Sequence, residues 1–168
     1  MRSGIRLGVD VGSVRVGLSA SDPEGILATP VDTIERDHES DADMGVIATV
    51  VQERQVLEVV VGLPRSLSGE EGPAAHGARR YATELASRIS PIPVRLIDER
   101  LTTIDAHRTL RDSGVPGRSQ RAVVDQAAAV LILQTALDAE KASGLAPGEL
   151  VGKRKPRSAR TRAKGERP

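Results

Sequence analysis

Three acidic residues occupy positions where apolar residues would be expected. Asp10 interrupts the apolar run of residues 5–12, Glu99 ends the run of residues 94–100, and Asp125 lies early in a long pattern of Ala, Val, Leu and Ile. Burying an unpaired carboxylate costs several kcal/mol, so three such residues indicate that a cation is held between them. Paired divalent metal ions are the obvious candidate, and such pairs hydrolyse phosphodiesters.

The donor atoms that the chain offers narrow the choice of ion. Mg²⁺ and Mn²⁺ prefer carboxylate and water oxygens, whereas this chain has no cysteine and only three scattered histidines. Two such ions about 3.5–4 Å apart can activate a water molecule and stabilise the leaving oxygen. We therefore predict that Asp10, Glu99 and Asp125 are the catalytic residues and the ligands of Mg²⁺ or Mn²⁺, with two ions bound.

A purely structural alternative is that each acid pairs with a nearby arginine. The pairs that it predicts are Asp10 with Arg6 or Arg15, Glu99 with Arg100, and Asp125 with Arg121. For any one acid alone, this pairing would be the preferred interpretation. Three acids that all lie at element ends or on interior faces favour the metal site.

Four further side chains are candidates for contacting the phosphates of a nucleic acid. Arg15, Arg65, Ser66 and Arg100 all lie in or beside the turns that follow the predicted strands, and we predict that they bind substrate. Tyr81 is the only aromatic residue, so recognition of single-stranded bases by stacking is not expected.

The pattern of apolar residues predicts the elements that position these side chains. Residues 5–11 and 15–21 alternate as strands do, and residues 26–34 form a third strand whose Pro30 suits an edge or a bulge. These three strands are predicted to form an antiparallel meander. Residues 41–51 then have helical spacing.

The second half of the chain alternates strands with helices. Buried strands are predicted at residues 56–61 and 94–97, and helices at 74–89, at about 102–113 and at about 119–142. Such alternation implies parallel pairing, and ligands of parallel sheets collect at the carboxyl ends of the strands. If the first, fourth and fifth strands are neighbours, Asp10 and Glu99 converge there.

Composition predicts one domain and a tail. Residues 1–151 suffice for one core, and residues 152–168 carry eight basic side chains against one acidic side chain. This tail is predicted to be disordered, and either to attract a polyanion or to solubilise the chain. No apolar run is long enough to span a membrane and no signal peptide opens the chain, so we expect a cytoplasmic protein without a membrane partner.

Six ordered motifs resemble one family of proteins. They are LGVDVG at 7–12, RVGLS at 15–19, VGLP at 61–64, GEEGP at 69–73, DERLTT at 98–103 and VDQAA at 124–128. In this combination they resemble the YqgF or RuvX family, whose members are known as pre-16S rRNA nucleases and, earlier, as Holliday junction resolvases. The resemblance covers about residues 4–140. One departure is Val14, where the family often has Lys.

The resemblance implies an α/β fold of the RNase H-like type. Its five-stranded mixed sheet would have the order 3-2-1-4-5 and be flanked by helices, and the acids of its nuclease site would align with Asp10, Glu99 and Asp125. The expected function is metal-dependent endonucleolytic processing of precursor 16S ribosomal RNA.

Several alternatives remain open from the sequence. The chain could be a Holliday junction resolvase acting on branched DNA, or a non-catalytic nucleic-acid-binding ribosome assembly factor. A sugar kinase or actin-like ATPase is disfavoured, because those proteins bind nucleotide between two domains and this chain has room for one. The expected partners are nucleic acid and the ribosome, and the chain is expected to be a monomer or a homodimer.

Overall fold

The computed structural model describes residues 1–101 and 117–152, with the side chains of the last helix described from Val123 onward. The strands are β1 (Arg6–Val11), β2 (Arg15–Ser21), β3 (Ala28–Glu35), β4 (Glu58–Leu63), β5 (Val94–Asp98) and β6 (Glu149–Leu150). The helices are α1 (Ala42–Glu53), α2 (Pro73–Ile89) and α3 (Gly117–Ser143), and a 3₁₀ turn covers Glu99–Leu101. The helix predicted at 102–113 and residues 153–168 of the predicted tail lie outside the described residues.

The sheet has the order β3-β2-β1-β4-β5-β6. β1 pairs antiparallel with β2 and parallel with β4, and β4 pairs parallel with β5, so the predicted mixed order 3-2-1-4-5 is confirmed. Pro30 lies on β3, at the edge of the sheet, beside a shift of register between Leu18 and Ser19. A proline can be placed there because an edge strand need not donate every backbone N–H.

The predicted count of five strands is wrong, because a sixth strand follows α3. β6 pairs antiparallel with β5, with Leu150 opposite Arg95 and Glu149 opposite Leu96. Gly148, with a φ of 73°, turns the chain into it. Two residues are too few to show the alternation by which longer strands are recognised in a sequence.

Helices cover both faces of the sheet. One face carries Leu7, Val9 and Leu18, which pack with α1 and α2 into the larger core cluster. The opposite face carries Val60 and Ile97, which pack with apolar residues of α3. Parallel strands covered on both sides are largely apolar, as β4 is from Val59 to Leu63.

α3 lies unusually close to the sheet because glycines face it. A Cβ atom at Gly8 would lie 2.7 Å from Leu133 Cβ, and one at Gly17 would lie 2.1 Å from the backbone oxygen of Asp125. The hydroxyl of Ser19 donates a 2.7 Å hydrogen bond to the backbone oxygen of Ala129 and ties the helix to β2. None of the helices among the described residues is long and apolar enough to cross a lipid bilayer.

Gly17→Ala should destabilise the protein, since its methyl group would overlap a backbone oxygen that can move only with the helix. We expect a loss of about 1–3 kcal/mol or more in the free energy of unfolding, measured by urea denaturation. Gly77→Ala is the matched control, because a Cβ there meets nothing within 4 Å. This control should gain up to about 1 kcal/mol, since alanine is the better helix former. Equal effects of the two substitutions would contradict the close helix–sheet contact.

Candidate active site

Asp10 lies between two glycines on neighbouring strands. It is directly opposite Gly17 in β2. The parallel register with β4 pairs Val9 with Val61, which brings Gly62 beside Asp10 on the other side. Residues opposite one another in a sheet share a face, so the two glycines form a floor without side chains beside the Asp10 carboxylate.

The last helix brings Asp125 to this floor. Gly17 allows the backbone of Asp125 to lie directly above β2, at a distance that no residue with a Cβ would permit. Ala129 and Ile132, four and seven residues further along α3, are buried, so Asp125 belongs to the stripe that faces the sheet. The predicted convergence of Asp10 and Asp125 therefore follows from the packing of α3.

Glu99 reaches the same floor from the end of β5. It is the first residue of the 3₁₀ turn, and its Oε1 would lie 2.5 Å from a Cβ at Gly62. Since Gly62 lies beside Asp10, the three carboxylates come from β1, the end of β5 and α3 to one edge of the sheet. This edge holds the carboxyl ends of β1, β4 and β5, as predicted.

Burial and the repulsion of neighbouring charges raise the pKa values of Asp10 and Glu99. Burial, and then the nearby charge of Asp125, raise the pKa of Asp10 from 3.8 to about 6. Burial, and then the charges of Asp10 and Asp98, raise the pKa of Glu99 from 4.5 to about 7. Groups held in this way are stabilised by any cation that comes between them.

Asp125 is engaged by Arg15. The Arg15 Nε donates a 2.7 Å hydrogen bond to Asp125 Oδ2, and both side chains are partly exposed. Arg15 is the first residue of β2 and shares a face with Gly17. The structure thus places a predicted substrate-binding arginine on a predicted metal ligand.

Two of the arginines that the structural alternative pairs with Asp10 and Glu99 are engaged by other acids in the described part of the chain. Arg6 lies under the far end of the sheet, where it pairs with Glu140 at 3.3 Å. Arg100 pairs with Asp98 at 2.6 Å. The side chain of Arg121, the partner proposed for Asp125, lies outside the described part of the chain.

The remaining predicted substrate residues form the rim beside Glu99. Arg65 lies 3.8 Å from Asp98 and 3.4 Å from Glu71. Ser66 is turned into its own loop, where its hydroxyl accepts from the backbone N–H of Glu70 at 3.1 Å. Arg65 and Arg100 are therefore brought together through Asp98, whereas the Ser66 hydroxyl is engaged locally.

Two parts of this arrangement were not predicted from the sequence. Gly17 and Gly62 form the floor, and a glycine inside an apolar strand is the signal that could have identified them. Arg79 was also missed. It pairs with Glu71, and with Glu149 at 3.0 Å, and so links the loop after β4 to β6. No periodicity indicates such a contact, because it joins three distant segments.

The donor set fits a hard cation, although the ligands are not yet gathered around one. Within the described residues, no three Asp, Glu or His side chains are arranged closely enough to hold a metal ion in their present positions. All three donors are nevertheless carboxylates, two of them have raised pKa values, and the third is held by a guanidinium. Carboxylate oxygens are the ligands that Mg²⁺ and Mn²⁺ prefer.

Comparison with known proteins identifies the family. The family model described as "RuvX: Holliday junction resolvase" matches residues 4–139. A protein from Nocardioides sp. named "Putative pre-16S rRNA nuclease" is 58% identical over 153 residues, which are 90% of this chain and 98% of that protein. A protein of the same name from Streptomyces coelicolor is 54% identical over 151 residues, which are 90% of each chain.

A solved structure supports the fold. "T. thermophilus RuvC in complex with Holliday junction substrate" matches with a TM-score of 0.55 at 15% identity, over 88% of this chain and 99% of that chain. At such low identity the likeness concerns the fold alone, which is RNase H-like as predicted. The match of the family model over most of the chain shows that this chain belongs to the RuvX family.

Proposed function

We propose that this chain is a metal-dependent endonuclease that hydrolyses phosphodiesters in precursor 16S ribosomal RNA. The observation that carries the proposal is that Asp10, Glu99 and Asp125 all lie beside the glycine floor at the carboxyl edge of the sheet. The names of its close relatives support the choice of RNA substrate. Such a substrate would place the protein in the cytoplasm and at the assembling ribosome.

The three carboxylates would hold one or two Mg²⁺ or Mn²⁺ ions. Ions bound there would activate the attacking water and stabilise the leaving oxygen. Asp10 contributes from a rigid central strand, so its position is fixed by the sheet. Asp125 is fixed by helix packing and Glu99 by the turn after β5. Arg15, Arg65 and Arg100 lie around the acids, where guanidinium groups can bind the phosphates on either side of the cleaved bond.

A second candidate is cleavage of branched DNA, which the description of the matching family model favours. A junction resolvase must cut two strands and so needs two sites, which a homodimer would provide. A monomer suffices for RNA processing. The two substrates are therefore distinguishable by the oligomeric state of the active protein as well as by the products.

Cleavage should depend on both the metal and the acids. We expect a precursor 16S fragment to be cut with Mg²⁺ or Mn²⁺ and not with EDTA, and a four-way DNA junction to be cut much more slowly. Asp10→Asn and Asp125→Asn should each lower the rate by at least about a hundredfold, because each removes a metal ligand. The products can be followed on denaturing gels.

Asp138→Asn is the matched control, since this exposed aspartate lies on the same helix as Asp125 and should leave the rate unchanged. Cleavage that ignores EDTA and Asp10→Asn would defeat the metal-dependent mechanism. Tight RNA binding with no turnover under any condition would instead favour the assembly factor without catalysis.

The raised pKa of Asp10 should lower the free energy of unfolding at neutral pH. Because the folded pKa of Asp10 lies above its ordinary value, the folded state binds the proton more tightly, and stability falls as the pH rises from about 4 through about 6. In EDTA at neutral pH, Asp10→Asn should therefore raise the free energy of unfolding by about 1–3 kcal/mol, less any loss of local packing. Adding Mn²⁺ should stabilise the wild type and not this variant. Destabilisation by Asp10→Asn in EDTA would contradict the description of Asp10 as an uncompensated acid.

A further inference from the structure

Arg15 forms an ion pair with Asp125, one of the carboxylates that the proposed metal site needs. Its Nε lies 2.7 Å from Asp125 Oδ2, and the pairing engages one of the two carboxylate oxygens. A guanidinium on one oxygen places a full positive charge within a few ångströms of any ion bound at the other. The two cations therefore repel each other, and each weakens the binding of the other to Asp125.

The backbone around Arg15 is held in place, so an exchange of partners would need the side chain alone to move. The Gly12 N–H donates a 2.8 Å hydrogen bond to the Arg15 oxygen, and the Arg36 N–H donates one of 2.8 Å to the Val14 oxygen. The Arg36 side chain also donates to the Gly12 oxygen at 3.0 Å. The turn from β1 to β2 is thus fixed from both sides.

The Arg15 side chain itself has room to leave. It is 31% exposed, against 23% for Asp125, and so it lies at the surface of the site. Among the contacts made by the described residues, Arg15 donates to Asp125 through Nε alone. Its two Nη groups are therefore not held by that carboxylate, and they present the fork that binds a phosphate.

We propose that Arg15 and a divalent ion compete for Asp125, so that binding of the ion releases Arg15 to the phosphate of the substrate. Arg15 would thereby neutralise Asp125 while no ion is bound and act as a phosphate ligand once an ion is present. This inference rests on the proposed function, because it assumes that Asp125 is a metal ligand.

The competition can be measured with Mn²⁺ alone. The full chain is titrated with Mn²⁺, and the free ion is followed by its EPR signal without nucleic acid. Arg15→Gln should bind Mn²⁺ on the order of tenfold more tightly than the wild type. Arg15→Lys should lie between them, since lysine retains the charge without the guanidinium fork. Arg80→Gln, which removes the same charge from an exposed position on α2, should bind as the wild type does.

A double substitution shows whether the effect passes through Asp125. In an Asp125→Asn background, Arg15→Gln should no longer change the affinity for Mn²⁺. An increase of equal size in that background would mean a general electrostatic effect and would overturn the proposal. Weaker or unchanged Mn²⁺ binding by Arg15→Gln would also overturn it, since Arg15 would then hold Asp125 in place for the ion or be irrelevant to it. Melting curves in EDTA verify that each variant is folded. If Arg15→Gln does not fold, the comparison of Arg15→Lys with the wild type tests the competition instead.

The release of Arg15 to the phosphate can be tested by the salt dependence of RNA binding. Binding of a precursor 16S RNA fragment is measured against salt concentration, with EDTA or with Ca²⁺, and the RNA is verified to be intact. With Ca²⁺, log affinity should fall less steeply with log salt for Arg15→Gln than for the wild type, by about one unit of slope, and with EDTA the two slopes should agree. Equal slopes in both conditions would contradict the release.

A wild type that binds no Mn²⁺ would defeat the proposed function itself. A metal-dependent nuclease whose affinity for Mn²⁺ does not change on substitution of Arg15 would defeat only this inference.

Discussion

The contact between α3 and the glycines of the central strands determines which acidic side chains can approach one another at the carboxyl edge of the sheet. Asp125 can approach Asp10 only because Gly17 has no side chain, and the neighbouring Gly8 lets Leu133 and Ala129 pack just as closely. A helix seated at the usual distance from a sheet would carry Asp125 several ångströms away. The same absence of a side chain at Gly62 makes room for the Glu99 carboxylate.

The face of the sheet under α3 handles charge in opposite ways at its two ends. At one end, Glu58 and Glu140 are almost wholly buried, and each is paired with arginine, with Arg2 at 2.8 Å from Glu58 and 2.9 Å from Glu140. Hydrogen bonding to Arg2 holds the pKa of Glu140 below its ordinary value. The buried acids at this end of the face are thus neutralised by arginine.

At the carboxyl edge, the pKa values of Asp10 and Glu99 are instead raised. Among the described residues, three arginines at this edge are engaged by other acids, Arg15 by Asp125 and both Arg65 and Arg100 by Asp98. These three arginines thus neutralise Asp125 and Asp98 at the rim of the site. Stability given up at one position in this way is typical of a site built to receive a ligand.

Strong local patterns made most of the fold predictable from the sequence. Each of these patterns is a property of a single segment, as in the alternation of Leu7, Val9 and Val11 and in the apolar run of β4 that follows Glu58. The parallel pairing of the strands then follows from the rules for connections between them. The three acids were predictable because each breaks such a pattern. The family resemblance then supplied the strand order and the alignment of the acids.

What the sequence could not supply are contacts between segments far apart in the chain. The pairing of Arg15 with Asp125 spans 110 residues, and it depends on the exact height of α3 above β2. β6 is too short to have a period, and its pairing depends on where α3 ends. The alternative in which Asp10 pairs with Arg6 also depends on distance along the strand, since alternation puts both residues on one face but strand length carries them to opposite ends of it.

The most direct test of the account is the anomalous scattering of manganese in crystals of the protein soaked with Mn²⁺. The account predicts one or two anomalous peaks bounded by the carboxylates of Asp10, Glu99 and Asp125, with Arg15 turned away from Asp125. Crystals that show no manganese at this edge of the sheet at millimolar concentrations of the ion, with Arg15 still on Asp125, would contradict it.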